Sequence, residues 1–253
     1  MQFLERGGVA LAYEDTKTDL PPIVLVHGCG FDHRSFAAQA ESFRKQHRVV
    51  SVDLRGHGES DAPQQDYTMA AFADDLAWFC TKLALVKPVM VGHSMGGNVV
   101  LEFAARYPEV PSSLVMIDSC IFPPRELLAT LQPFTEALQG PNYLAAFQQL
   151  LSSMCLQTDE RGLQLVSSLQ VPQHVLVSAL ANHLTHYDAT SAAVGCHVPT
   201  AYLGAGNPLV DLPHFQSLTP QLVIARTLGS GHFSPVEVPD QIHAMITQFL
   251  RVY

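Results

Sequence analysis

Apolar residues in this chain come in short unbroken runs, and most of these runs stop abruptly at glycine, histidine or aspartate. Ile23-Val24-Leu25-Val26 leads into His27-Gly28-Cys29-Gly30, and Arg48–Leu54 leads into Arg55-Gly56-His57-Gly58. Pro88–Val91 ends at Gly92-His93-Ser94, and Leu114–Ile117 ends at Asp118. Thr200–Leu203 and Leu222–Ala225 complete the series. A wholly apolar run too short for a helix predicts a strand buried on both faces, as in a parallel sheet. Near the start, Phe3–Glu5 and Val9–Glu14 flank Gly7-Gly8 and predict an antiparallel hairpin. Helical periodicity fills the gaps, over roughly Phe36–Arg44, Met69–Leu83, Gly96–Arg106 and Gln241–Arg251. Strands alternating with helices mean crossover connections. The expected fold is α/β: a mainly parallel eight-stranded sheet with helices on both faces.

One segment departs from the alternation. From Cys120 to His197 there is no convincing strand, only helix-like runs near Glu126–Leu138, Tyr143–Met154, Arg161–Ser168 and Val175–His183. Pro123-Pro124, Gly140-Pro141 and Pro172 punctuate them. Residues 1–119 and 198–253 are therefore expected to form one core, with 120–197 inserted as an all-helical cap. In its first run, Leu127, Leu131, Phe134 and Leu138 share one face at helical spacing.

Composition narrows the function classes. Of 253 residues, 47% are hydrophobic and 15% charged, which is too apolar for a disordered chain and sufficient for a sizeable core. The net charge of −9 lacks the basic footprint of a nucleic-acid binder and disfavours anionic membranes. The five cysteines, at 29, 80, 120, 155 and 196, include no C-x-x-C pair, so neither a disulfide framework nor a structural zinc site is expected. His183 and His186 have helical i, i+3 spacing but no accompanying carboxylate motif, and no metal is assigned to them. The first residues carry no apolar leader and no run approaches the ~18 apolar residues of a membrane span, so a soluble, cytoplasmic protein is expected.

The motif with the most chemical content is Gly92-His93-Ser94-Met95-Gly96, which fits G-x-S-x-G directly after an apolar run and directly before a helical one. In that context the serine occupies a sharp strand-to-helix turn where neighbouring side chains would clash, and the helix N-terminus behind it offers free N–H groups to an oxyanion. His232, in the loop after the last strand, would come to the same sheet edge as a general base. His27, His57 and His93 read as structural, and Asp53 with Arg55 as a pair fixing their turn.

Taken together, His27–Gly30, Asp53–Ser60, the Ser94 turn and Gly231-His232-Phe233 resemble, in this order, the α/β-hydrolase superfamily, in particular serine esterase-like members with a helical cap. The resemblance implies a nucleophile at Ser94, a base at His232, and an oxyanion hole formed by the backbone N–H groups of Met95 and Cys29. The acid departs from the common pattern. Most of the superfamily carries it after the seventh strand, where this chain has Gly204-Ala205-Gly206-Asn207-Pro208, and Asn207 cannot supply the charge. Asp118, at the end of the sixth strand, is the preferred replacement. Asp211 is the alternative, although Asp211-Leu212-Pro213 also reads as a helix start.

The expected activity is hydrolysis of a small to medium carboxylic ester or lactone with a hydrophobic part, through an acyl-enzyme on Ser94 and without a cofactor. Two alternatives stay open: carbon–carbon bond hydrolysis, perhydrolysis or a lyase reaction on the same fold, and a non-catalytic small-molecule receptor with a degenerate triad. The expected partner is a small molecule, not nucleic acid or membrane. Oligomeric state is not legible.

Overall fold

The computed structural model describes every residue except Asn207 and Pro208. Eight strands form one sheet: β1 (Gln2–Arg6), β2 (Val9–Asp15), β3 (Pro22–Val26), β4 (Arg48–Val52), β5 (Val89–His93), β6 (Ser113–Ile117), β7 (Thr200–Gly204) and β8 (Leu222–Arg226). Their spatial order is β1-β2-β4-β3-β5-β6-β7-β8. The hairpin β1–β2 pairs antiparallel and β2 joins β4 antiparallel, while every later pairing is parallel.

The apolar runs are explained by burial on both sides. Side chains alternate between faces along a strand. Ile23, Leu25, Val91, Val115 and Ile117 enter one hydrophobic cluster, whereas Val24, Val26, Met90, Leu114 and Met116 enter the other. Two helices cover the first cluster, α1 (Ala37–Phe43) and α11 (Pro239–Val252), through Phe43, Ile242, Ile246 and Phe249. The second is covered by α2 (Met69–Lys82) and α3 (Met95–Arg106), through Phe72, Leu76, Phe79, Val99 and Phe103. Thr68 caps α2 by accepting a hydrogen bond from the Ala71 N–H.

Between β6 and β7 lie five helices: α4 (Arg125–Ala137), α5 (Tyr143–Met154), α6 (Glu160–Ser167), α7 (Gln173–Leu184) and α8 (Thr190–Gly195). No strand interrupts them among the described residues. Two more helices complete the chain, α9 (Leu212–Leu218) between β7 and β8, and the single turn α10 (Ser234–Glu237) before α11. The periodicity of the sequence did not single out α8 or α10. Both are too short to display a helical repeat. Among the described residues no helix is long and apolar enough to cross a membrane.

Every parallel strand ends on the same side of the sheet. The loops after β3, β5, β6, β7 and β8 therefore converge there, as ligand-binding loops do in open α/β sheets.

Candidate active site

Strand β5 runs two residues further than its apolar stretch, through Gly92 to His93, and Ser94 follows without a spacer. Ser94 has φ 53° and ψ −122°, a conformation that a side chain with Cβ adopts only under constraint. The constraint is visible in the neighbouring glycines. A Cβ on Gly92 would lie 2.3 Å from the Gly96 carbonyl oxygen, and one on Gly96 would lie 2.2 Å from that of Val26. The turn thus presses α3 against β3 and β5, and Ser94 is pinned by its N–H donating to the Ile117 carbonyl at 2.9 Å.

Asp118 follows β6 directly and also has positive φ, 44°. Its Oδ2 accepts from Nδ1 of His232 at 2.8 Å, and its Oδ1 accepts from the Ala205 N–H at 2.9 Å. A carboxylate that accepts at Nδ1 holds the proton on that nitrogen and leaves Nε2 with its lone pair. The β7 loop thus supplies a backbone donor that orients the Asp118 carboxylate. Asp211 lies elsewhere: exposed, it caps α9 by accepting from the His214 N–H at 3.0 Å. Asn207 lies outside the described residues.

The loop bearing His232 is held from three directions. Its own N–H donates to the Met154 carbonyl at 2.8 Å, and its carbonyl accepts from Nε2 of His93 at 2.9 Å. Glu237 provides the third tie: its two carboxylate oxygens accept from the N–H groups of Gly231 and Leu156, each at 2.7 Å. Burial raises the Glu237 pKa above the usual carboxylate range. One carboxylate therefore fastens the histidine loop to the end of α5. Nothing in the sequence marked Glu237, because its partners lie in different parts of the chain.

The neighbouring histidines are structural, as expected. His27 donates from Nδ1 to the Gly28 carbonyl and accepts at Nε2 from the Leu54 N–H, joining the β3 and β4 loops. His93 is pushed down to about 3, chiefly by burial, so its ring is neutral at physiological pH. The expected Asp53–Arg55 pair does not form. Asp53 instead accepts from the ring and the backbone N–H of His33 and from the Glu59 N–H, whereas Arg55 pairs with buried Asp75. An adjacent pair in sequence was the simplest reading, but the strand end turns the two side chains to different partners.

Cys29 lies in the β3 loop at the edge of the cavity, and burial raises its thiol to about 12. Such a thiol stays protonated and is a poor nucleophile. Met95 is the first residue of α3, where helix N–H groups lack intrahelical partners. Among the described residues neither the Cys29 nor the Met95 N–H has a hydrogen-bond partner within the protein. Asp32, His33 and Asp53 bring potential metal-ligating atoms within 4.8 Å of one another, but these groups do not line the cavity. Asp32 is engaged by Arg34, and Asp53 by His33.

Ser94, Asp118, His232 and Cys29 border a single cavity of about 680 Å³. Its other walls come largely from the inserted helices: Leu127 and Leu131 of α4, Phe147 and Leu151 of α5, Leu180 and His183 of α7. Phe31 and Met154 also reach the cavity, while Phe122, Phe134 and Tyr143 do not.

The sequence model for the alpha/beta hydrolase fold matches residues 21–159, more than half of the chain. The chain belongs to that family. An sn-1-specific diacylglycerol lipase of Mus musculus is 29% identical over 93% of this chain and 83% of its own length. The solved structure of a thermophilic esterase from Thermogutta terrifontis superposes with a TM-score of 0.86 at 27% identity, covering 99% of this chain and 98% of that one. An uncharacterized protein of Mycobacterium tuberculosis is 32% identical over 99 residues, so that 39% of this hydrolase-fold chain spans only 29% of that relative.

Proposed function

We propose that this protein is a serine hydrolase that cleaves a carboxylic ester or lactone of modest size with a hydrophobic part. The observation that carries the reading is the 2.8 Å contact of His232 Nδ1 with Asp118, made beside a serine at positive φ on the same cavity. In this reading Ser94 Oγ attacks the carbonyl carbon and His232 Nε2 takes its proton. Asp118 keeps the imidazole in the required tautomer and stabilises the imidazolium. The N–H groups of Cys29 and Met95 receive the carbonyl oxygen as it gains charge. His232 then protonates the departing alkoxide, and water, deprotonated by His232, releases the acid from Ser94. Residues 120–197 act as a cap that supplies the apolar roof of the cavity and excludes water.

The similarity to a lipase and an esterase supports ester hydrolysis over carbon–carbon cleavage, perhydrolysis or elimination. The His232–Asp118 contact weighs against a degenerate receptor, since a binding protein has no need of an oriented base. The partner of this site is a small molecule; no nucleic acid, membrane or cofactor enters the reaction. A short alkyl fluorophosphonate should add once to the enzyme, on the peptide containing Ser94, as read by mass spectrometry. Ser94→Ala should abolish that labelling and lower kcat on p-nitrophenyl butyrate by about 10⁴–10⁶. Near-normal turnover by a folded Ser94→Ala protein would rule the mechanism out.

A further inference from the structure

Ser94 stands between two unlike ends of its cavity. One end is closed. The β3 loop that carries Cys29 lies so close to α5 that a Cβ on Gly30 would come 2.7 Å from the Phe147 ring. Cys29, Phe147, Leu151 and Leu180 line this end, and all four are buried. The other end is open. The exposed residues of the lining are Thr130, Ser153, Gln157, Thr158 and Gly206, a set of neutral polar side chains and one glycine. Helix α5 joins the two ends, since Phe147 to Met154 spans about 10 Å at about 1.5 Å per residue. Among the described residues no lysine or arginine lines the cavity, and its one carboxylate, Asp118, is committed to His232.

The open end is the His232 end. A Cβ on Gly231 would lie 2.4 Å from the Met154 carbonyl oxygen and 2.6 Å from the Leu156 nitrogen, and one on Gly206 would lie 3.5 Å from the Ser230 carbonyl oxygen. The loop bearing His232 is thus held between the segment that carries Ser153, Gln157 and Thr158 and the one that carries Gly206. The chemistry of acyl transfer tells the two ends apart. Once Ser94 Oγ has bonded to the carbonyl carbon, the oxyanion faces the N–H groups of Cys29 and Met95. The bond from that carbon to the alkoxy oxygen then breaks, and the alkoxide leaves with the proton that His232 took from Ser94. The departing oxygen must therefore face His232, which leaves the closed end to the acid.

We infer that the cavity sorts the two halves of its substrate differently: the acid half is enclosed and limited in size, while the alcohol half projects through the open rim without a limit on its length. The inference rests on the hydrolase reading and refines it, because the modest size and the hydrophobic part then belong to the acid alone. The substrate class is an ester of a short or medium apolar acid with a large, neutral, hydrophilic alcohol.

Two matched pairs of esters test this, each differing only by a methoxy-octa(ethylene glycol) chain remote from the carbonyl. In the alcohol pair, 2-methoxyethyl butyrate is compared with the butyrate of the long-chain glycol ether, and kcat/KM should agree within about threefold. In the acid pair, ethyl 3-methoxypropanoate is compared with its long-chain glycol ether analogue, and kcat/KM should fall by about a hundredfold, the upper range for forcing extra atoms into a packed site. Both ratios are read on the wild-type protein, so neither depends on a variant folding. In Phe147→Leu the acyl length that gives the highest kcat/KM among 2-methoxyethyl esters should move to a longer chain, with the alcohol ratio unchanged. A long chain tolerated on the acid and rejected on the alcohol reverses the assignment and overturns it. Long chains tolerated on both halves, or rejected on both, overturn it as well. If the short esters are hydrolysed only when Ser94 is present and either ratio fails, the sorting alone fails. If they are not hydrolysed in a Ser94-dependent way, the hydrolase reading fails with it.

Discussion

The floor of the cavity and its roof are built on opposite terms. On the floor, Ser94 and Asp118 emerge directly from strand ends, at positive φ, and their backbones are tied to neighbouring strands. The Gly92–Gly96 turn leaves no room for even a methyl group. In the roof, α4 has no fully buried residue, and Leu127 and Leu131 are only half-buried while facing the cavity. The floor holds its side chains by close packing and backbone ties, which is what positioning for catalysis requires. The roof keeps its side chains adaptable, which suits contacts that sort substrates. Substitutions in the two regions should accordingly fail differently, and the catalytic rate should depend far more on the floor.

The largest difference is expected at the proposed acid. Asp118→Asn removes the charge that orients and stabilises the His232 imidazolium, and kcat should drop by about 10³–10⁴. Asp211→Asn only weakens the cap of α9, and kcat should stay within about twofold. Steady-state kinetics on p-nitrophenyl butyrate decides between them; a larger loss at Asp211 would move the acid to the β7–α9 loop.

Next in size is a stability contrast between glycines. A Cβ on Gly96 would lie 2.2 Å from the Val26 oxygen and 2.6 Å from the His27 oxygen, both main-chain atoms that cannot swing away. Gly96→Ala should lose about 3 kcal/mol or more of folding stability, the upper range for overpacking. On α8, a Cβ on Gly195 would only touch that of Ala105 at an ordinary 3.4 Å. Gly195→Ala should be neutral or up to about 1 kcal/mol more stable, since alanine favours a helix. Urea denaturation of the two variants measures the contrast, and equal stability would mean that the turn is not close-packed.

The same division explains what could be read from the sequence. Strand runs, the Ser94 turn and the His232 loop carry local patterns, because a strand buried on both faces and a crowded turn restrict nearly every residue in them. Asp118 was legible as the first polar residue after such a run, and the structure brings it to His232 rather than Asp211. Glu237 was invisible: its partners Gly231 and Leu156 stand 6 and 81 residues away, and no period links them. His183 and His186 share helical i, i+3 spacing, but His186 is exposed and only His183 of the two borders the cavity. The Asp53–Arg55 pairing failed for the same reason, since the decisive partners, His33 and Asp75, come from other elements. In the α4 run, Leu127 and Leu131 reach the cavity, Phe134 does not, and Leu138 is buried in the core. Periodicity identified the face without distinguishing what each part of it would meet.

Glu237 is where floor and roof meet, and its loss should fall between them in effect. In Glu237→Gln one acceptor becomes an NH₂ group facing the N–H of either Gly231 or Leu156. An unsatisfied buried donor costs about 1–3 kcal/mol. The His232 loop should loosen, and kcat should fall by about tenfold with little change in KM. Fluorophosphonate labelling should slow to a similar degree, because both reactions need His232 to activate Ser94. A selective rise in KM instead would assign Glu237 to the cap alone and uncouple the two regions.

The smallest effect is expected in the roof itself. Each substrate methylene buried against it contributes up to about 0.8 kcal/mol, and less where the wall is half-exposed. Across p-nitrophenyl esters, kcat/KM should rise from acetate to butyrate or hexanoate and then decline once the cavity is full. Leu131→Ala withdraws part of that wall, so the hexanoate ester should lose about two- to fourfold while the acetate ester, too short to reach α4, changes little. A succinate monoester should be poor in both proteins, because the two arginines of the inserted helices do not line the cavity. Arg125 is exposed, and Arg161 is committed to Asp159 and to the Glu237 carbonyl. Equal losses for acetate and hexanoate in Leu131→Ala would show that α4 acts on the reacting groups rather than on the chain. A preference for the succinate ester would place a cation over Ser94 and replace the apolar roof with a charged one.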